Sequence, residues 1–275
     1  MSLGPPLSIA EAELFETLVV PRYLSFFGSL ALDMLLPHAE ATVANLACRT
    51  GYPDGIVAEK VTGGSLVGID VSAAAINLAR RKAVLLTGLR ASYREVDTLP
   101  TPLKGESFTH AMSIHPICNI EDRARLLREL RRLLVPGGQA LLALPLRGSF
   151  AEVNDMLREY ALQQDLADFG RAIDTAAASR PTIESVAEEF ESVGLTDVDV
   201  DVQRIAVSFE NGRDFLDDPI TNLIVLPDTR AALQVEPGLV ESSMKYIREA
   251  ILKYWSEGVF ELTVNVGCAS GRRLN

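Results

Sequence analysis

A chain of 275 residues with 26 basic and 37 acidic side chains has a formal charge of −11, so it lacks the basic face that a generic nucleic-acid binder needs. With 48% hydrophobic and 23% charged residues the composition is ordinary for a globular protein and excludes wholesale disorder. The longest apolar run, LSFFGSLALDMLL, is interrupted by Asp33 and falls short of the ~20 residues of a membrane span.

The first residues, MSLGPPLSIAEAELFE, have no basic stretch ahead of an apolar run, so no secretory leader is expected. ATVANLA (41–47) predicts the first strand, followed by a turn rich in Gly, Pro and Asp. SLVGID (65–70) predicts a second strand. SAAAINLARRKAVLLTG predicts a helix with Ser72 as N-cap and Gly88 as its stop. ASYREVD (91–97) and SFTHAMSIH (107–115) predict strands three and four. In IEDRARLLRELRRLLVPGG, Leu126, Leu127, Leu130, Leu133 and Leu134 recur at helical spacing, while the arginines mostly lie off that stripe. Pro136-Gly137-Gly138 is expected to end this helix, and QALLALPL (139–146) predicts a fifth strand.

From 147 the rhythm changes to helices, including TIESVAEEFESVG, whose Thr182 start lacks the acidic residue of a full capping box. Two late strands, 196–209 and 260–270, are expected to form an antiparallel edge. Strands alternating with helices imply right-handed crossovers and a parallel sheet covered on both faces. No linker divides the chain, so a single domain over 1–275 is expected. Residues 1–40 would form a helical cover, 41–146 a cofactor-binding core, and 147–275 helical inserts and the last two strands.

In such a sheet, ligands sit at the carboxyl ends of the strands. Asp70 ends the second strand, where a carboxylate can accept from both hydroxyls of a ribose. Asp97 ends the third and is placed to accept from an exocyclic amine. Together they suggest an adenosine-sized ligand. The turn after strand one lacks G-x-G-x-x-G, which disfavours a dinucleotide. Cys48, Cys118 and Cys268 are widely spaced and odd in number. They read as free thiols in a reducing cytoplasm, with Cys48 a small apolar filler and no metal site expected.

VANLACRTG, VGIDVS, REVDTLP, SFTHAMS and LRELRRLLVPGGQALLALP resemble, in order and spacing, the motifs of class I S-adenosylmethionine (SAM)-dependent methyltransferases, above all the quinone-biosynthesis-type and small-molecule branch. The resemblance covers residues 41–146. It implies a Rossmann-like, seven-stranded sheet of order 3-2-1-4-5-7-6 with strand 7 antiparallel, SAM as cofactor, and a small-molecule acceptor. Carried over, Asp70 and Val71 would take the ribose and Asp97 with Val96 and Thr98 the adenine. Ala47, Cys48, Arg49 and Gly51 would face the methionine part, and Ser113 would line the same cleft.

The chain departs from the family pattern at Asn45, Ala47, Arg49 and Thr109. Arg49, in a glycine's place, could bind the methionine carboxylate, plug the pocket or point to solvent. His115, at the end of strand four, is the candidate general base. Aromatics such as Tyr23, Phe27, Phe150 and Trp255 could line an acceptor pocket or simply pack the core. The expected function is SAM-dependent methyl transfer to a small molecule. The rival is a degenerate, non-catalytic member that binds or regulates a partner, and a second copy or a protein partner stays open.

Overall fold

The computed structural model describes residues 4–61, 63–254 and 257–274, so Trp255 lies outside the described residues. Its sheet forms in the order β3-β2-β1-β4-β5-β7-β6. The strands are β1 (Thr42–Leu46), β2 (Ser65–Asp70), β3 (Arg90–Glu95), β4 (Phe108–Ile114), β5 (Leu134–Pro145), β6 (Leu195–Phe209) and β7 (Phe260–Arg273). The first five run parallel, while β7 is antiparallel to both β5 and β6. Order and direction match the expectation.

Helices cover both faces. On one, α1 (Ile9–Leu14) continues through a π-helical stretch, Phe15–Leu24, into α2 (Ser25–Met34), beside α3 (Asp54–Lys60) and α4 (Ala73–Ala83). Pro21 lies within the π stretch, where the missing N–H and the bulk of its ring disfavour the regular four-residue ladder. On the other face, α5 (Ile120–Leu133) lays its leucine stripe on the sheet, together with α8 (Ile183–Ser192). The inserts α6 (Ala151–Gln163), α7 (Ala167–Ser179), α9 (Gly212–Asp217), α10 (Leu226–Leu233) and α11 (Pro237–Tyr254) extend the first layer. Two apolar clusters therefore sandwich the sheet, one under the N-terminal helices and inserts, the other under α5 and α8.

Several boundaries differ from expectation. α4 ends at Ala83 and leaves Val84 and Leu85 exposed. β3 stops at Glu95, so Asp97 lies beyond it. Pro136-Gly137-Gly138 does not end the helix. β5 starts at Leu134, paired with Phe108, and a register shift between Phe108 and His110 takes up the Pro-Gly-Gly residues. Thr182 does head a capping box, because Ser185 Oγ accepts from the Thr182 amide in place of an acidic side chain.

Candidate functional site

The chain leaves β1 through a turn that keeps a glycine-like backbone without the glycines. Ala47, Arg49 and Gly51 all adopt the left-handed conformation, with φ of 55°, 49° and 80°. For an L residue this costs about 1–2 kcal/mol, which Gly51 alone avoids. The turn is held by Cys48 N–H donating to Ile69 O at 3.0 Å and Gly51 N–H donating to Cys48 O at 2.8 Å. Cys48 is buried, and desolvation with the nearby Asp70 charge pushes its thiol well above the usual range. An inert filler is the reading that fits.

Asp70 closes β2 and is also buried. Its Oδ2 accepts from Arg49 N–H at 3.0 Å and its Oδ1 from Ser72 N–H at 2.9 Å. Each oxygen keeps a further lone pair for a ligand hydroxyl. Ala47, Asp70, Val71, Val96, Asp97 and Thr98 line one cleft, closed down to about 10 Å³, with Asp97 and Thr98 on its exposed rim. Ser113 is instead committed to structure: its hydroxyl donates to Leu46 O at 2.8 Å and ties the ends of β4 and β1 together. Thr109 works similarly, exchanging hydrogen bonds with Thr42.

Arg49 does not point to solvent; it is 4% exposed. Its Nη1 donates to Pro5 O at 2.8 Å and lies 3.9 Å from Asp70 Oδ1, while Nη2 is buried without a partner. The N-terminal strap, Gly4–Ser8, is thus drawn over the carboxyl end of β2. Ser72 fixes it further, because Ser72 Oγ both accepts from Leu7 N–H and donates to Leu7 O, each at 3.0 Å. Pro5 and Pro6 have no N–H, so before Leu7 they present only carbonyls to the site.

The carboxylate absent at position 45 reappears nine residues later. Asn45 Nδ2 donates to Asp54 Oδ1 at 2.8 Å, and Tyr93 Oη donates to Asp54 Oδ2 at 2.8 Å. Burial pushes Asp54 up to about 6, with both hydrogen bonds acting in the opposite sense. In the sequence Asp54 is only one more turn residue.

His115 leaves β4 in the left-handed region, φ 52°, and is 3% exposed. Its Nε2 lies 2.9 Å from Tyr23 Oη, its ring meets the edge of Phe27 at 4.7 Å, and Nδ1 has no partner. Burial lowers His115 to about 4, so the ring is neutral near pH 7. Burial and the Asp228 charge raise the Tyr23 phenol, which therefore keeps its proton. His110 is buried and linked through Nε2 to Leu36 O. His38 is exposed. In the sequence Tyr23 is one aromatic among many; 92 residues separate it from His115, and no local pattern links the two.

Among the described residues no helix is long and apolar enough to cross a membrane, and no His/Cys/Asp/Glu cluster could hold a metal ion.

Residues 44–142 match the family model described as a methyltransferase domain. The chain is 32% identical over 132 residues to a demethylmenaquinone methyltransferase of Thermus thermophilus, an alignment covering 44% of this chain and 60% of that protein. It is 32% identical over 112 residues to a 2-phytyl-1,4-naphtoquinone methyltransferase of Thermosynechococcus vestitus, covering 40% and 49%. The chain spans about half the length of these curated relatives. Among solved structures, a Haemonchus contortus phosphoethanolamine N-methyltransferase superposes with a TM-score of 0.58 at 13% identity, over 98% of this chain and 59% of that one. The YcgJ protein of Bacillus subtilis gives 0.55 at 12%, over 91% and 99%. At those identities the likeness speaks for the fold.

The strand order and the domain match agree: residues 44–142 match a methyltransferase domain and lie on a Rossmann-like sheet, and the chain is similar in sequence to small-molecule methyltransferases. The relatives it matches include quinone methyltransferases, and its turn after β1 has Asn45, Ala47 and Arg49 where the resemblance leads one to expect an acidic residue and glycines.

Proposed function

We propose that this protein transfers a methyl group from SAM to a small-molecule acceptor. The observation that carries the reading is the retained left-handed turn at 47, 49 and 51 with Asp70 braced against it by the Arg49 amide. A turn released from cofactor binding has no reason to keep two non-glycine residues in a conformation costing about 1–2 kcal/mol each.

The residues present fit the ligand. Asp70 offers free lone pairs for ribose hydroxyls, and Val71, Val96, Asp97 and Thr98 line the adjoining cleft, which is closed to about 10 Å³ and would have to open to take an adenine. Arg49 Nη2 is a buried donor lacking an acceptor, a role that the carboxylate of the methionine part would fill. Because Arg49 Nη1 holds both the strap and the vicinity of Asp70, admission of the ligand requires the strap to lift and the guanidinium to swing aside. SAM would supply an electrophilic methyl on sulfur, so the protein's main task is positioning.

An acceptor that must lose a proton needs a base, and the Tyr23–His115 pair can take one up. With Tyr23 protonated and His115 neutral, the ring has one bare nitrogen and the phenol can relay a proton to it. The helical stretch that presents Tyr23 and Phe27 also excludes water from this pair.

Calorimetric titration with S-adenosylhomocysteine tests the reading. Micromolar binding is expected, with Asp70→Ala weakening it at least ~10-fold, equivalent to about 1.4 kcal/mol. Absence of binding in both the native chain and Arg49→Gly would overturn it.

A further inference from the structure

Asp54, the first residue of α3, is 1% exposed, and its carboxylate joins two strands. Oδ1 accepts from Asn45 Nδ2 at the end of β1 and Oδ2 from Tyr93 Oη on β3, each at 2.8 Å. Asp54 N–H donates to Gly51 O at 3.2 Å, so the residue that carries the carboxylate is also tied to the left-handed turn at 47–51. Both side-chain donors are neutral. Holding a carboxylate between neutral groups is an expensive way to fill a buried position, because an apolar side chain would need no hydrogen bonds there.

Tyr93 reaches this carboxylate only because its neighbours lack side chains. Gly68 is its register partner on β2, and a methyl group there would strike the Tyr93 ring. A methyl group on Gly51 would lie 3.2 Å from Tyr93 Oη and 3.1 Å from Ala79 Cβ, tighter than ordinary contact. Gly51 therefore answers two demands, a φ of 80° and room for the phenol. Further holds on the turn are the backbone hydrogen bonds of Cys48 and Gly51 and the Lys82 ammonium on Thr50 O at 3.1 Å. A strained backbone such as that at Ala47 and Arg49 persists only where its surroundings over-determine it. The Asn45–Asp54 contact closes the chain on either side of that strain, and Tyr93 anchors it to the sheet.

We propose that Asp54 is a positioning residue of the cofactor site: its carboxylate clamps Asn45 and Tyr93, fixes the path of the turn between them, and so sets the Arg49 amide that braces Asp70 at 3.0 Å. Calling the site a cofactor site rests on the methyl-transfer reading, whereas the clamp stands on its own geometry. Protonation opens the clamp, since a carboxylic acid turns one of its two oxygens into a donor that faces a donor. The charged and titratable groups around the carboxylate are Tyr93, Cys48, Arg49 and Asp70, with the Lys82–Glu16 pair. Asp54→Asn isolates its own contribution from theirs.

The test titrates the full chain with S-adenosylhomocysteine by calorimetry between about pH 5 and 7.5, and follows hydrogen exchange at the Arg49 amide without ligand. In the native chain affinity should fall by up to ~10-fold as the pH drops through about 6, the value to which burial raises Asp54. Asp54→Asn should weaken binding at least ~10-fold at the upper pH and leave a flat profile. Tyr93→Phe removes one hydroxyl and leaves the ring against Gly51 and Gly68. It should weaken binding roughly 10-fold, the low end for one hydrogen bond to a charged group, and it carries the test if Asp54→Asn does not fold. Both variants should speed exchange at the Arg49 amide at least ~5-fold. Variants that lower the denaturation midpoint but keep native affinity, pH profile and exchange overturn the proposal, because a carboxylate that only supports the fold would do that. If neither the native chain nor Arg49→Gly binds S-adenosylhomocysteine, the methyl-transfer reading falls and Arg49 exchange alone decides the clamp: faster exchange in the variants upholds it, and an unchanged rate overturns it.

Discussion

Arg49 occupies a backbone position built for glycine, and its side chain closes the site that glycine would leave open. Two substitutions separate these effects. Arg49→Gly and Arg49→Ala both delete the guanidinium and its contacts with Pro5 and Asp70, but only glycine relieves the positive φ. The glycine variant should therefore be more stable than the alanine variant by about 1 kcal/mol in chemical denaturation. Equal stabilities would mean that the turn relaxes once the side chain is gone. Both variants should admit S-adenosylhomocysteine faster than the native chain, because the latch on the strap is lost. The sequence leaves Arg49 with three readings, and burial removes the solvent-pointing one. What remains is a residue that holds the site shut in the absence of ligand and has a spare donor for a carboxylate when the site is open.

The strap and the start of α4 are coupled through one hydroxyl. Ser72 Oγ caps α4 at Ala75 N–H and also exchanges hydrogen bonds with the Leu7 backbone. Ser72→Ala should cost about 1 kcal/mol as a lost N-cap. It should also speed hydrogen exchange at the Leu7 amide at least ~5-fold, because that donor loses its acceptor. An unchanged Leu7 rate would separate the strap from the cap. The Ser72 cap is legible in the sequence, because a short hydroxyl before an apolar, alanine-rich run has a local cause. So are the parallel sheet and α5, since alternating strands and a leucine stripe are repeated patterns, whereas the strand order comes only from the resemblance of the motifs to a known family. The start of β5 is not legible: Leu134 continues the helical stripe in sequence, and only its pairing with Phe108 recruits it to the sheet. Asp70 can be found from its place at a strand end. Asp54 and Tyr23 cannot, because their partners Tyr93 and His115 lie 39 and 92 residues away and no periodicity joins them.

For the whole molecule, burial of three titratable groups fixes how stability responds to acid. His110 and His115 are both lowered to about 4 from an ordinary value near 6.5, chiefly by desolvation. Between those limits each binds fewer protons folded than unfolded, so each favours unfolding as the pH falls from about 6.5 toward 4. Asp54 acts in the opposite sense. Raised to about 6 from 3.8, it binds more protons folded than unfolded between those values, so acidification through that window favours the folded state. Two histidines against one carboxylate leave a net slope of about one proton, or about 1.4 kcal/mol per pH unit, between pH 6 and 4. Denaturation midpoints should therefore be flat above about pH 6.5 and fall below it. His110→Gln keeps a donor for Leu36 O but removes one titrating ring, leaving His115 and Asp54 to cancel, so the curve should flatten between pH 6 and 4. A native curve that is flat or rises on acidification would show that these rings do not carry the burial assigned to them. The neutral His115 that makes the fold acid-sensitive is the same group that can accept a proton from an acceptor near pH 7. Acid sensitivity and base function thus have one cause, a ring sealed under the helical stretch that carries Tyr23 and Phe27.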